Sequence, residues 1–150
     1  MSRVQLSHEV RAPAGVVFDF ADRPENYPEF FQGFTDFEWT SPRHKAGTRL
    51  KMVGKLGGVA LPMELETTEV VPYRRISGVF VSGLSGSLEW RFEPGDGTTW
   101  VSLTADYHLS TEGTACLPNR SLVDHDLCCL MMKTLEALKQ KLENRVPVAR

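Results

Sequence analysis

His125 and Cys129 stand four residues apart, the spacing that sets two metal-ligating side chains on one helix face. Zinc needs four ligands, or three and a water, and no third is evident here, so no metal is expected. Cys129 reads instead as an exposed thiol beside an imidazole. Three other polar residues fall on apolar faces. Tyr107 would bury a hydroxyl that needs a partner, which makes it either a structural anchor or a ligand contact. His8, between Leu6 and Val10, could move a proton, although a satisfied core histidine is the simpler reading. Thr134 is expected to bond back to its own helix, and Asp124 to act as a cap. Asp19 and Asp22 flank a helix break and read as solvent-facing and capping residues. Gly54, Gly57 and Gly58 lack the Lys-Ser/Thr that follows a phosphate-cradling loop. There is no Gly-x-Ser-x-Gly turn and no carboxylate pair. No cofactor is expected.

The chain that must position these groups has 150 residues, 41% hydrophobic and 24% charged, enough for one domain with a full core. A net charge of −2 with no basic stripe argues against nucleic acid. Cys116, Cys128 and Cys129 make an odd set, which fits a reducing cytoplasm better than a disulfide framework. The N-terminus has no apolar signal core, and no run is long enough to span a membrane, so stable membrane insertion is not expected.

Arg3–Arg11 alternates polar and apolar residues, as a half-buried strand does. Pro13 opens a short helix carrying Val16, Val17 and Phe20. Asp22 and Glu25 form a capping pattern around Pro24 for a second short helix through Phe31, which Gly33 ends. Strands follow at Phe34–Ser41, Thr48–Leu56 and Val59–Val70. The Gly57-Gly58 hairpin between the last two pairs Leu50 with Leu65, Met52 with Met63, Arg49 with Glu66 and Lys51 with Glu64. Pro62 then needs an edge position or a bulge. Arg74–Ser82, Ser87–Glu93 and Thr98–Ser110 complete the strands, with Leu88 expected opposite Leu103 and Trp90 opposite Val101. A capping box at Ser121–Asp124 opens a long helix to about Arg145. Its apolar stripe is Val123, Leu127, Leu130, Met131, Leu135, Leu138 and Leu142.

One curved sheet with one apolar face needs one long helix to cover it. A sheet gripping a helix leaves a cavity, expected at the usual ~300–1,000 Å³. The registers point Met52, Met63, Phe80, Trp90, Leu103 and Tyr107 into it from the sheet, and Met131, Thr134 and Leu135 from the helix. A Met-lined wall adapts to varied apolar ligands.

The element order carries recognisable segments: Ala12-Pro13-Ala14-Gly15-Val16-Val17-Phe18, then Pro24-Glu25-Asn26-Tyr27-Pro28-Glu29-Phe30-Phe31, and Trp90-Arg91-Phe92-Glu93-Pro94. Together they resemble the START-like (SRPBCC) superfamily of polyketide cyclase/dehydrase and lipid-transport proteins, over nearly the whole chain. The resemblance implies an α+β helix-grip fold. About seven antiparallel strands wrap a C-terminal helix, with two short helices after the first strand, in a single domain over residues 1–150. It implies binding of a hydrophobic small molecule: a lipid, quinone, isoprenoid or polyketide. The alternatives are a polyketide cyclase or dehydratase working in the same cavity, and an interaction role with a vestigial pocket. The protein could be a monomer or, if the Trp39 and Trp100 sides of the sheet are exposed, a dimer.

Overall fold

A computed structural model describes residues 2–109 and 120–145. Strand β1 (Ser2–Val10) leads to helix α1 (Ala14–Ala21). A single 3-10 turn at Pro24–Asn26 runs into the one-turn helix α2 (Tyr27–Phe30). Strands β2 (Phe34–Trp39), β3 (Arg49–Leu56), β4 (Val59–Val71), β5 (Arg75–Ser82), β6 (Leu84–Pro94) and β7 (Thr99–Leu109) follow. Helix α3 (Arg120–Arg145) closes the chain. The strands form one antiparallel sheet in the order β1-β7-β6-β5-β4-β3-β2. Helix α3 packs on β1, β3, β7 and α2. Every member of its predicted apolar stripe is buried except Leu130, which is half-buried.

The β3–β4 register is the predicted one, with Leu50 opposite Leu65, Met52 opposite Met63 and both charge pairs in place. Pro62 sits opposite Val53, beyond the point where β5 stops pairing with β4 at Glu64–Ser82. Its missing N–H therefore leaves no gap in the ladder on that side. The β6–β7 hairpin differs from expectation. Leu88 faces Ala105, Trp90 faces Leu103 and Phe92 faces Val101, because Pro94 extends β6 and pairs with Thr99. A slip of two residues keeps each side chain on its expected face.

The helix starts also differ. Arg23, not Asp22, precedes the Pro24 turn, and it makes no capping bond. Ser121 and Asp124 both lie within α3. Residues 110–119, with Cys116, and the tail from Val146 lie outside the described residues.

Positive φ and close neighbours favour glycine at Gly33 and Gly86. Gly33 has φ +79, and a Cβ there would lie 2.3 Å from Leu130 of α3. Gly86 in β6 has φ +126, and a Cβ would meet the Asp106 carbonyl oxygen at 1.9 Å. The sheet's two edges are β1 and β2. At the first, Lys139 Nζ of α3 donates to the Glu9 carbonyl (3.2 Å), and the Arg11 N–H donates to Glu143 Oε2 (2.9 Å). The second is bulged between Thr35 and Glu38, where Asp36 takes φ +56.

Candidate functional site

Between sheet and α3 lies an apolar hollow of about 30 Å³. Met52, Met63, Phe80 and Leu103 border it from the sheet, and Met131 and Thr134 from α3. The space is far smaller than expected. Phe31 and Phe34 also line it. Both phenylalanines come from the chain around Gly33, which brings α2 down against α3.

The other predicted wall residues sit elsewhere. Trp90 borders a second hollow, next to the first. Leu135 is packed in the core at neither hollow. Tyr107 also borders neither: its hydroxyl donates to Asp124 Oδ1 (2.5 Å), tying β7 to the start of α3. Asp124 is thus bonded across to the sheet rather than serving only its own helix. Thr134 Oγ1, expected to bond back to its helix, instead accepts the Gln32 N–H (3.3 Å). His8 is half-buried opposite Val101, away from both hollows. His125 and Cys129 sit 3.7 Å apart on the exposed face of α3, and no metal-holding cluster of three such groups occurs among the described residues. Asp126, to which the sequence lent no role, accepts the Gly57 N–H (2.9 Å) and pins the β3–β4 turn to α3.

The second hollow, also about 30 Å³, is bordered by Tyr27, His44, Glu66, Ser77 and Trp90. Leu65 and Leu88 border both spaces. His44 comes from the β2–β3 loop. Its Nδ1 is 2.9 Å from the Asp22 carbonyl oxygen, which can only accept, so Nδ1 carries the proton. Burial lowers the His44 pKa, so the ring is neutral near pH 7 and its Nε2 is a bare acceptor. The Tyr27 hydroxyl, 3.2 Å away, donates to that nitrogen. Burial also pushes the Tyr27 pKa well above its ordinary value, so it stays protonated. The Trp90 indole N–H approaches the Tyr27 hydroxyl, yet no acceptor meets it in hydrogen-bonding geometry.

Asp22 is buried, and its side chain does not cap the Pro24 turn. Its burial raises the carboxyl pKa, opposed by the Arg43 guanidinium, which bonds Oδ2 at 3.2 Å. Arg43 also reaches Asp19 at 2.8 Å, so both carboxylates hold the His44 loop in place. Nothing in the sequence singles out His44, because it sits in a polar loop with no periodicity. Tyr27 was visible only as part of a fold-bearing segment.

Residues 1–143 match the family model described as polyketide cyclase / dehydrase and lipid transport, and the chain belongs to that family. Its fold is the helix-grip fold. The Zhui aromatase/cyclase of a Streptomyces species is 20% identical, with a TM-score of 0.82 over 98% of this chain and 96% of that one. A Thermus thermophilus protein is 21% identical, with a TM-score of 0.80 over 97% and 100%. A START superfamily protein of Mycobacterium smegmatis is 13% identical, with a TM-score of 0.75 over 96% and 99%. A sequence search of curated proteins gives no match. No helix among the described residues is long and apolar enough to cross a membrane.

Proposed function

We propose that this protein binds a hydrophobic small molecule between the sheet and α3. The observation that carries this is the apolar hollow walled by Met52, Met63, Phe80, Leu103, Met131 and Thr134. Three methionines on opposing walls supply the adaptability that so small a space requires. Their side chains change rotamer to admit a ligand, so the space grows with its occupant. Binding then rests on apolar burial, ~25 cal/mol per Å² before the costs of association. The cysteine usage suits a reducing cytoplasm, as monomer or dimer, with no part for nucleic acid or membrane insertion.

A second reading is a cyclase or dehydratase acting in the same space. The Tyr27–His44 pair, which borders the adjoining second hollow, favours it, because a hydroxyl bonded to a bare imidazole nitrogen can relay a proton.

Native mass spectrometry, with organic extraction of the purified protein, tests the binding reading. A co-purified apolar molecule is the expected result. An empty protein that also fails to bind the neutral probe phenylnaphthylamine would overturn it. On the second reading, His44→Asn would keep binding and lose turnover of the extracted compound by ~10²–10⁴-fold.

A further inference from the structure

The outer face of α3 carries an imidazole, a thiol and a thioether that border neither hollow. His125 is exposed, and its Nε2 stands 3.7 Å from the Sγ of half-buried Cys129. Met132 follows three residues on. It is 47% exposed, so its thioether is not used in the core. At ~100° per residue, His125, Cys129 and Met132 fall within ~60° of one another. Long side chains on a helix lean back toward its N-terminus, which carries the Met132 sulfur toward Cys129. Cys128 stands apart from this strip, since it packs on the core.

The separation of His125 and Cys129 suits one metal ion held by both. Bonds of ~2.05 Å to nitrogen and ~2.3 Å to sulfur, meeting at ~110–120°, set two such ligands ~3.6–3.8 Å apart. The third ligand decides which ion. No set of three His, Cys, Asp or Glu occurs among the described residues, and a thioether is not among zinc's usual ligands. Copper(I) is softer. It accepts thiolate, thioether and imidazole together, and settles for a low coordination number. Charge points the same way. A thiolate and a copper(I) ion sum to zero, whereas a divalent ion would leave a positive charge one turn from the exposed Lys133.

We infer that the outer face of α3 binds a copper(I) ion through Cys129 Sγ and His125 Nε2, with the Met132 thioether as third ligand. Binding displaces the thiol proton to solvent, so each ion bound releases a proton. His125 keeps its proton on Nδ1 and gives the metal its Nε2 lone pair. No electron is transferred. The hollows between sheet and helix take no part, so this site stands or falls independently of the ligand-binding reading.

The test titrates the whole reduced protein anaerobically with copper(I), supplied as its bicinchoninate complex. Loss of the chelate's colour reads the metal passed to the protein, and ¹⁵N spectra of the histidine rings follow His125 Nε2. The wild type should take copper from the chelate, and its Nε2 resonance should move as it does so. Cys129→Ser should weaken binding by at least ~100-fold, and His125→Ala and Met132→Leu by ~10–100-fold each. Cys116→Ser/Cys128→Ser, which leaves Cys129 as the remaining thiol, should bind as the wild type does. Zinc should neither displace the copper nor move the Nε2 resonance. His125 and Met132 are exposed, so their variants keep the fold, and the wild-type ring signal needs no variant. A protein that takes no copper from the chelate, or a copper-loaded one with an unmoved His125 resonance, would overturn the site. Equal affinity in all the variants would mark adventitious thiol binding and overturn it as well, as would loss of binding in the double thiol variant.

Discussion

Truncating Met131 to alanine tests whether the wall of the apolar hollow is built as described. Met131 is 4% exposed and faces the hollow from α3. The change removes three heavy atoms. Their transfer contributes ~2 kcal/mol. The space left, roughly 70 Å³ at close packing, adds ~24 cal/mol per Å³, or ~1.7 kcal/mol. The total is ~4 kcal/mol. A 150-residue chain melts with an entropy of ~0.3 kcal/mol per kelvin, so Tm should fall by ~12 °C. The new void opens onto the existing hollow of about 30 Å³. Dry apolar cavities of the order of ~150 Å³ take up benzene. Scanning calorimetry with and without benzene reads both effects. At roughly ten times its Kd, benzene should return ~1.4 kcal/mol, or ~4 °C, to the variant and nothing to the wild type. A loss below ~4 °C, or a variant indifferent to benzene, would show that Met131 does not hold that wall open and that α3 settles inward.

Three further outcomes are expected. Gly86→Ala, with φ +126 and the Asp106 carbonyl in the way, should cost ~3–5 kcal/mol, and an unchanged melting curve by circular dichroism would refute the β6–β7 geometry. Tyr107→Phe should cost ~1–2 kcal/mol, or ~3–6 °C in Tm, through the lost bond to Asp124, while phenylnaphthylamine affinity stays at the wild-type value. A weakened affinity would place Tyr107 at the ligand after all. The third concerns pH. His44 has its pKa lowered by burial, so the unfolded chain takes up a proton more readily than the folded one. Its contribution is present above the unfolded pKa of 6.5 and is lost as pH falls below it. Asp22, its carboxyl raised by burial, acts in the opposite direction, adding stability as pH falls toward its ordinary 3.8. Urea denaturation between about pH 7.5 and 5.5 should therefore show a falling stability that His44→Asn flattens. Identical profiles for variant and wild type would refute the buried, neutral imidazole.

The parts of the fold legible in the sequence were those with a period. Alternation and the Gly57-Gly58 turn set the β3–β4 register residue by residue, and the heptad-like spacing of Val123 to Leu142 set the buried face of α3. The β6–β7 register was off by two because a four-residue turn signal can close on more than one pair, and Pro94 joined the strand instead of the loop. The apolar wall was read in outline, from Met52 to Met131, since inward-facing residues follow from register. The polar hollow was not. His44 lies in an aperiodic loop, and Asp22 looked like a cap until the fold buried it against that loop. Contacts between a loop and a helix end leave no pattern along the chain. The size of the cavity was equally hidden, because it depends on how Phe31 and Phe34 fold in over Gly33.

A sheet that stays open presents two unfinished margins, each a template on which another chain could add a strand. Here the margins are spoiled in different ways. Along β1, Lys139 and Glu143 occupy backbone groups at Glu9 and Arg11 that an incoming strand would need. Along β2, the bulge at Asp36 bends the backbone off the line of a straight ladder. The long helix therefore does more than cover the apolar face. By reaching around one border of the sheet it helps keep separate copies from zipping together, so an open sheet with a long apolar face does not itself become the nucleus of a fibril.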